Sequence, residues 1–443
     1  MDHGHLSMVA DKCQWVLSEP LLNACGTAAK FCCRQRIITP LRLGLALTAT
    51  CARQPVETLA DFPRGFHAFW GPPITSKAFY HHVAQSRFAD CARPMPSRLI
   101  GAMTRKVLGV AKGRALAELR PLVRQAGSSF AIHDGVREVL PGRCTVVTPA
   151  AVALHTTLDL LCDPPTTVVL PPDTTNAQAF LPAPASLRAR VLLADRGDRD
   201  WHSLRRLQDA GGFFLLRAKA GLPPQVVEAF REDGTRLRSL RNKALKARHA
   251  TRPKRQRVEL VVAWQVEEHP LRLRLLSSWN RQTTACCDLW TTLPAQRYPL
   301  DVSYRAYKWR GPVEVLLKAW QSSAPLHACD TENPALVEGL MWTAIAAAAL
   351  TRFLAHMTQR LLEVPMATRK VARCAVHVVG RMRQALQTGA VPGLSDAIEA
   401  AIMSLACHAQ RAHPKRDRHT GRAQLGLEPL FGSEALMEFA EAA

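Results

Sequence analysis

Hydrophobic and polar positions divide the chain into three regions of different texture. Up to about residue 120, apolar residues recur at helical spacing, which predicts a mostly helical region. From Leu122 the pattern changes to short runs of β-branched and apolar residues that end at Gly, Pro or Asp. After Tyr304 helical spacing returns and continues to the end of the sequence. The pattern predicts an α/β core between helical N- and C-terminal regions.

Two helical stretches in the N-terminal region flank a Gly-Pro break. Residues 56–70 are followed by Gly71-Pro72-Pro73, and residues 74–86 then mix apolar and basic side chains. A helix, a break and a short basic helix are compatible with a helix-turn-helix, whose second helix would lie near DNA. Two packed helices without a special role fit the same pattern, so both interpretations stay open.

The central region alternates strands with a helix. The segment 201–209 is amphipathic, with Leu204 and Leu207 on one face, and the run 190–195 is a buried strand that ends in Asp195. Ligands in such α/β arrangements bind at the ends of the strands. The other predicted strands are 122–132, 144–161, 166–170 and 213–216.

A β-rich unit follows this first part of the core. Residues 258–266 and 271–277 are separated by Glu-Glu-His-Pro, which is a hairpin signal, and residues 284–293 add a third strand. Before the hairpin, residues 231–257 contain 11 Lys or Arg side chains in 27 positions. We expect this unit to form a separate β-rich lobe inserted into the core.

The charge balance points to a polyanionic partner. Lys and Arg total 58 against 36 acidic residues, which gives a net charge of +22 and a pI of about 10.0. Basic side chains gain affinity for phosphates by releasing counterions, so nucleic acid is the first candidate and an anionic membrane surface the second. A further basic stretch lies at 411–422.

Neither a membrane span nor a disulfide framework is expected. The apolar run 344–350 falls short of the ~18 residues that cross a bilayer, and it predicts a buried helix. Asp2 and His3 do not resemble a secretory signal. The 13 cysteines are odd in number and include two vicinal pairs, so reduced thiols in a cytoplasmic protein are the simplest interpretation. A zinc site is a weak alternative, because His81, His82 and Cys91 lack zinc-finger spacing.

One segment carries candidate chemistry. Tyr307, Arg310, Glu314 and Gln321 follow one another at intervals of three, four and seven residues, which places them largely on one face of a helix. Taken alone, a Glu on a basic amphipathic helix is more often the partner of a surface ion pair than a catalyst.

This spacing resembles the Tyr-Arg-Glu-Lys signature of DDE-type insertion-sequence transposases of the insertion sequence four family. In that branch a β-strand insertion interrupts the nuclease domain before the catalytic Glu. The run 192–197 is similar to the strand that bears the second catalytic Asp, and Ser128-Ser129-Phe130-Ala131 with Pro171-Pro172-Asp173-Thr174 is similar to the opening strands. The resemblance covers roughly residue 125 to the C-terminus.

The resemblance implies a ribonuclease-H-like core in which three carboxylates bind two divalent metal ions, usually Mg²⁺, for attack on a phosphodiester. Asp195 and Glu314 would be catalytic metal ligands. The side chains that would contact DNA are Tyr307, Arg310, Lys318 and Gln321. The implied partner is double-stranded DNA, as transposon ends and target, with a homodimer in the synaptic complex.

The sequence departs from the family at the site itself. Gln125-Ala126-Gly127 stands where the first Asp is expected, and a methyl group cannot bind a metal. Asp134 is the nearest substitute, although a turn residue at this position is the more ordinary interpretation. Gln321 replaces the signature Lys, and Gly311-Pro312 replaces bulkier residues. These changes indicate a degenerate copy that is impaired in cleavage.

The expected organisation combines the pattern with the resemblance. A non-catalytic nucleic-acid-binding protein is the alternative, and it would explain the charge but not the order of the motifs. The predicted units are a helical region at 1–120, the first core part at 121–216, the β-rich insertion at 217–297, the second core part with the Glu-bearing helix at 298–380, and a helical region with a basic tail at 381–443.

Overall fold

A computed structural model describes most of the strands and many of the helices of this chain. The described residues are 11, 18–32, 37–53, 56–71, 74–99, 122–144, 146–159, 167–194, 201–218, 225–242, 257–266, 269–280, 285–308, 330–362, 364, 366–367, 370–371, 374 and 391–410.

The N-terminal region is helical as far as it is described, to residue 99. Its helices are α1 Glu19–Ala28, α2 Pro40–Arg53, α3 Asp61–Trp70, α4 Ser76–Val83 and α5 Ser86–Ala92. Two of these helices have side-chain N-caps. The Ser18 hydroxyl accepts from the Leu21 amide at 3.4 Å, and the Thr75 hydroxyl accepts from the Ala78 amide at 3.3 Å. Aromatic side chains fill the space between the helices, with the Phe66 and Phe79 rings 5.9 Å apart.

The centre of the molecule is one large mixed sheet, and in the described part of the chain the α-helix α6 Trp201–Asp209 lies between two of its strands. Its strands are β1 Leu122–Ala131, β2 Pro141–Cys144, β3 Thr148–Asp159, β4 Thr167–Val169, β5 Val191–Ala194, β6 Phe213–Arg217, β7 Gln225–Arg231, β8 Val258–Val266, β9 His269–Asn280 and β10 Ala285–Thr291.

The strand order is β2-β3-β1-β5-β6-β10-β9-β8-β7, with β4 also paired to β3. β3 runs antiparallel to β1 and to β4, whereas β1, β5 and β6 run parallel to one another. All the remaining pairings are antiparallel. Because parallel neighbours need a crossover connection, α6 lies between β5 and β6 in the chain.

Apolar side chains cover both faces of the parallel strands. On β5, Val191 and Leu193 belong to a core shared with the N-terminal helices, while Leu192 and Ala194 belong to a core on the other face. Leu204 and Leu207 of α6 pack into this second core. β5 is therefore a central strand buried on both faces, as the uninterrupted apolar run predicts.

The expectation of a separate β-rich lobe is wrong. β10 pairs antiparallel with β6, and its Trp290 stands opposite Leu216. Through this pairing β7 to β10 extend the core sheet. The predicted hairpin is confirmed, since β8 and β9 pair antiparallel around residues 267–268, and β10 supplies the third strand.

The helices described after the sheet are α7 Leu300–Lys308, α8 Pro334–Leu362 and α9 Val391–His408. The first half of α8 packs in the core beneath the N-terminal helices, and the second half shares a smaller core with α9. The window Pro334–Thr351 is long and apolar enough to cross a membrane, but 78% of it is buried inside the protein. The helix is therefore largely a core helix of this structure, and the run 344–350 is buried as predicted.

Candidate functional site

The end of β5 is the point where the sequence places its second carboxylate. All four residues of β5 are buried, and the strand lies between β1 and β6 with both neighbours parallel to it. Ala194 is the last residue of the strand. Asp195 follows directly in the sequence but lies outside the described residues, as does Gly197.

Position 126 lies within β1, the strand next to β5. The backbone of Ala126 stands opposite Thr156 of β3 in the antiparallel ladder. On its other side, the parallel register between β1 and β5 runs from Leu122 opposite Val191 to Arg124 opposite Leu193. Ala126 is thus on a central strand, two residues beyond the last pair with β5.

Asp134 is not on this strand. β1 ends at Ala131, and Asp134 opens a short 3-10 turn that follows. It is exposed, and its carbonyl oxygen accepts from the amide of Arg137 at 3.0 Å. The five residues from position 126 to the end of β1 span about 16 Å at the rise of a strand. Asp134 is therefore a turn residue beyond the end of β1, remote from position 126.

Of the Tyr-Arg-Glu-Gln segment only Tyr307 is described, and it lies on α7. The Tyr304 hydroxyl donates toward the carbonyl oxygens of Leu276 and Cys287, at 3.1 and 2.5 Å, which fixes α7 against β9 and β10. Tyr307 lies one turn further on α7, half-buried against the main core. The other predicted site residues lie outside the described residues: Arg310, Glu314, Lys318 and Gln321.

The helix-turn-helix candidate is a packed pair of helices. Phe79 and Val83 bury one side of α4, and Phe66 of α3 contacts Phe79. Lys77 and His81 are exposed on α4. The arrangement leaves open both of the sequence interpretations, a DNA-reading helix and a purely structural pair.

A polar network next to β1 was missed by the sequence interpretation. The Asp173 carboxylate, 5% exposed as a residue, accepts from the Ser129 hydroxyl and from the Arg143 amide at 3.4 Å. The Arg143 guanidinium donates through Nε to the Asp173 carbonyl oxygen at 2.6 Å and through Nη2 to the Thr175 carbonyl oxygen at 3.4 Å. The network fastens the loop after β4 to β1 and β2.

A buried histidine lies beside this network. His155 on β3 is 5% exposed, and its ring stacks on Phe180 with centroids 4.6 Å apart and an interplanar angle of 18°. Burial lowers the pKa of His155, and the nearby Arg143 charge lowers that pKa further, while Asp173 acts in the opposite direction. His155 is therefore neutral at neutral pH. Its position in an apolar run gave no sequence signal beyond that of a strand residue.

The described residues contain no group of three His, Cys, Asp or Glu side chains that could hold a metal. This bears on the zinc alternative, because His81, His82 and Cys91 all fall in the described part of the chain. Burial raises the pKa of Cys91 to about 12, so this thiol is protonated rather than poised as a ligand. The absence of such a group does not bear on Asp195 and Glu314, because both lie outside the described residues. The cysteines that are described carry free thiols.

Among the positions singled out by the sequence, the structure thus places the backbone of Ala126 on a central strand, the end of β5 just before Asp195, and Tyr307 on a helix fixed to the same sheet.

Comparison with models of protein families and with curated proteins finds no match to this chain.

Proposed function

We propose that this chain is a DNA transposase by descent, of the DDE type, with a ribonuclease-H-like core and a defect at the first carboxylate position. The observation that carries the proposal is the sheet order. β4, β3 and β1 are antiparallel neighbours, and β1, β5 and β6 are parallel neighbours. This order fits a ribonuclease-H-like core, with an Asp directly after the central strand β5.

The register between β1 and β5 supports the assignment of the site. Arg124 stands opposite Leu193, and two residues further along these parallel strands come Ala126 and Asp195. Asp195 lies outside the described residues, and the proposal is that it shares a site with position 126, which β1 carries two residues beyond its last pair with β5.

The order of the remaining elements along the chain agrees with the proposed transposase core. β7 to β10 come between β6 and α7, where the resemblance expects the β-strand insertion. α7 then brings Tyr307 back to the sheet through the contacts of Tyr304 with β9 and β10. Tyr307, the first residue of the signature, therefore lies next to the core although a long insertion precedes it.

The residues fit a two-metal site only in part. When bound, two Mg²⁺ ions would activate a water or a DNA 3′-hydroxyl and stabilise the leaving oxygen. Asp195 and Glu314 offer the hard oxygen ligands that Mg²⁺ prefers, but Ala126 offers none. We therefore assign this chain the binding of DNA and an impaired cleavage, and we derive no cleavage step from it.

DNA binding rests on charge. The net charge of +22 favours a polyphosphate partner, and the sequence concentrates basic residues in the segments 231–257 and 411–422. Tyr307, Arg310, Lys318 and Gln321 would hold phosphates beside the scissile bond, with Arg310 using its planar fork. A cytoplasmic protein that acts as a homodimer on paired transposon ends is the corresponding biological setting.

A non-catalytic nucleic-acid-binding protein is the second candidate, and the missing carboxylate at position 126 is what favours it. The two candidates share the binding of DNA and differ in cleavage. A metal-dependent cleavage assay on DNA that carries the flanking inverted repeats therefore separates them, with a catalytically complete relative of the family as the positive control.

Binding is tested first, by titrating labelled duplex DNA with the full chain at several salt concentrations. Phosphate contacts predict an affinity that falls steeply with salt. Arg310→Ala should weaken binding to every DNA sequence alike, because a phosphate contact does not specify a base. The control is Arg188→Ala, an exposed Arg that precedes β5. An affinity independent of salt, or equal losses in both variants, would contradict the assigned role.

A further inference from the structure

Two buried cysteines lie on neighbouring helices of the N-terminal region. Cys25 is on α1 and Cys91 is on α5, and the two residues are 5% and 8% exposed. The two helices are in direct contact, and both cysteines belong to the main core. The function proposed above uses neither thiol.

Contacts on both sides of this pair show how the two helices run. The Phe31 ring, just after α1, lies 5.8 Å from the Phe88 ring of α5. Near the start of α1, Leu22 shares a small core with Met95, which follows α5 in the chain. The helices are therefore antiparallel. Both cysteines lie in the stretch between these two contacts, where the helices face each other.

The two sulfur atoms have different surroundings. The Arg98 guanidinium donates to Sγ of Cys25 at 2.6 Å, because an arginine has donors but no acceptor. Cysteines beside a cation are the ones that react readily. Burial raises the pKa of Cys91 to about 12, and the nearby Cys25 and Cys32 thiols act in the same direction. We therefore expect Cys25 to react first with an oxidant, and Cys91 to react only with its neighbour.

We propose that Cys25 and Cys91 form a reversible disulfide when the protein meets a peroxide, and that this bond joins α1 to α5. In the first step the Cys25 sulfur attacks the oxygen–oxygen bond of hydrogen peroxide, which gives a sulfenic acid and one water. In the second step the Cys91 sulfur displaces the sulfenic oxygen, which leaves as water and takes the Cys91 proton. The two thiols lose two electrons and two protons in total, and the peroxide becomes two waters. A thiol reductant reverses the bond by exchange.

Cys32 is the competing partner for either thiol. It lies beyond the end of α1, half-buried, and its Sγ points to the Ile38 carbonyl oxygen at 3.8 Å. In the antiparallel arrangement this position falls outside the stretch between the two flanking contacts, because Cys32 follows Phe31 in the chain. The packing of the helices therefore favours Cys25 as the partner of Cys91.

The bond would secure α1 to the centre of the helical region. α5 already packs closely on α8, since Phe88 leaves no room for a Cβ on Gly339. The Arg93 guanidinium at the end of α5 also donates to the Glu338 carboxylate of α8 at 2.8 Å. A cross-link between residues far apart in the chain restricts the unfolded state, so local unfolding of α1 should become rarer in the oxidised protein.

Peptide mapping of the full chain after limited oxidation tests the bond. The chain is treated with an equimolar amount of hydrogen peroxide, alkylated in urea and digested without reductant. A peptide that links Cys25 to Cys91 should appear, and it should be lost when a thiol reductant is added before alkylation. Cys25→Ser and Cys91→Ser should each abolish the linked peptide. Cys51→Ser, at a buried cysteine of α2, is the matched control and should leave it in place.

The order of the two steps is tested by trapping the sulfenic acid with a 1,3-dicarbonyl reagent. In Cys91→Ser the trap should label Cys25, because no second thiol completes the bond. In Cys25→Ser the label on Cys91 should be lost. Equal labelling of the two thiols in these variants would contradict the assigned order.

The unaltered chain keeps the test decisive if a variant does not fold. The exposed Cys144 reports that the peroxide has reached the protein. Oxidised Cys144 without a link between Cys25 and Cys91 would overturn the proposal. A link from Cys32 to either thiol in its place would overturn it as well.

Discussion

Arg274 and Glu259 form a two-pronged ion pair between neighbouring strands, with Nε and Nη2 of the guanidinium 2.7 and 2.8 Å from the two carboxylate oxygens. The same guanidinium donates through Nη1 to the carbonyl oxygens of Leu293 and Tyr298, at 2.6 and 3.1 Å. The pair thus joins β8 and β9 to the segment that leads into α7. An Arg can do this because its planar fork presents several donors in fixed directions.

Breaking this pair should destabilise the protein strongly. Arg274→Ala would leave a carboxylate that is 17% exposed without its partner, together with two carbonyl oxygens. Loss of one partner of a buried pair costs about 3–5 kcal/mol, and the residual exposure of Glu259 favours the lower end of this range. Urea unfolding measures the difference. Arg272→Ala, at an exposed position of the same strand, should change the free energy of unfolding by less than about 0.5 kcal/mol, and equal effects of the two variants would contradict this role.

Substitutions in the network around Asp173 should lower the unfolding free energy in proportion to the hydrogen bonds that each one removes. Asp173→Ala removes the acceptor of the Ser129 hydroxyl and the Arg143 amide, and should cost about 2 kcal/mol of unfolding free energy. Ser129→Ala should cost less, about 1 kcal/mol, because the carboxylate keeps the amide. Asp134→Ala, at an exposed turn carboxylate, is the control for loss of a negative charge. An equal loss of unfolding free energy in Asp134→Ala and Asp173→Ala would refute the role of this network.

Cys91 should be inert while the chain is folded. Burial raises the pKa of its thiol to about 12 from an ordinary 9.0, with the nearby Cys25 and Cys32 thiols acting in the same direction. Only the thiolate reacts, so at pH 8 alkylation of Cys91 should be about 10³-fold slower in the folded chain than in urea. The exposed Cys144 supplies the comparison, and peptide mass spectrometry measures both. Since the unfolded thiol ionises first, the contribution of Cys91 to stability is present below about pH 9 and is lost above it.

Local patterns in the sequence were sufficient for several elements. The uninterrupted apolar run of β5, the amphipathic spacing of Leu204 and Leu207 in α6, and the turn residues between β8 and β9 all produce the predicted structures. Each of these signals lies within about ten residues, where the side-chain period alone distinguishes a helix from a strand. They also locate the end of β5, where the candidate Asp follows.

Long-range pairings left no such signal. The contact of Leu216 with Trp290 joins β6 to β10 across the whole insertion, and this pairing turns the expected lobe into a continuation of the sheet. Asp173 follows two prolines, which by itself indicates only a turn, so its role as a buried acceptor was not foreseen. The ion pair of Arg274 with Glu259 is equally invisible, because a charged residue in a strand usually faces water.

The last prediction tests the proposed lesion at position 126. If this position held the first metal ligand, Ala126→Asp should restore a third carboxylate beside Asp195 and permit some Mg²⁺-dependent cleavage of transposon-end DNA. Loss of one preorganised electrostatic contact costs about 10²- to 10³-fold in rate, so a gain of at least that size is expected over the unaltered chain. Adding Gln321→Lys should increase the rate again, because it returns a positive charge toward a phosphate.

The comparison uses the unaltered chain, Ala126→Asp, and the double variant on the same DNA, with gel analysis of the cut ends. Ala126→Asp combined with Asp195→Asn is the control, because it returns one carboxylate and removes another, and it should be inactive. DNA binding should persist in every variant, with a salt dependence that is unchanged in Ala126→Asp and steeper by about one phosphate contact when Gln321→Lys is added. Persistent binding separates a failed repair from a misfolded chain. Robust cutting by the unaltered chain that Asp134→Ala abolishes would assign the first ligand to Asp134 and refute the lesion. Absence of cutting by the double variant, with binding intact, would show that substitutions at 126 and 321 do not account for the defect, so that further changes, such as Gly311-Pro312 before Glu314, contribute to it.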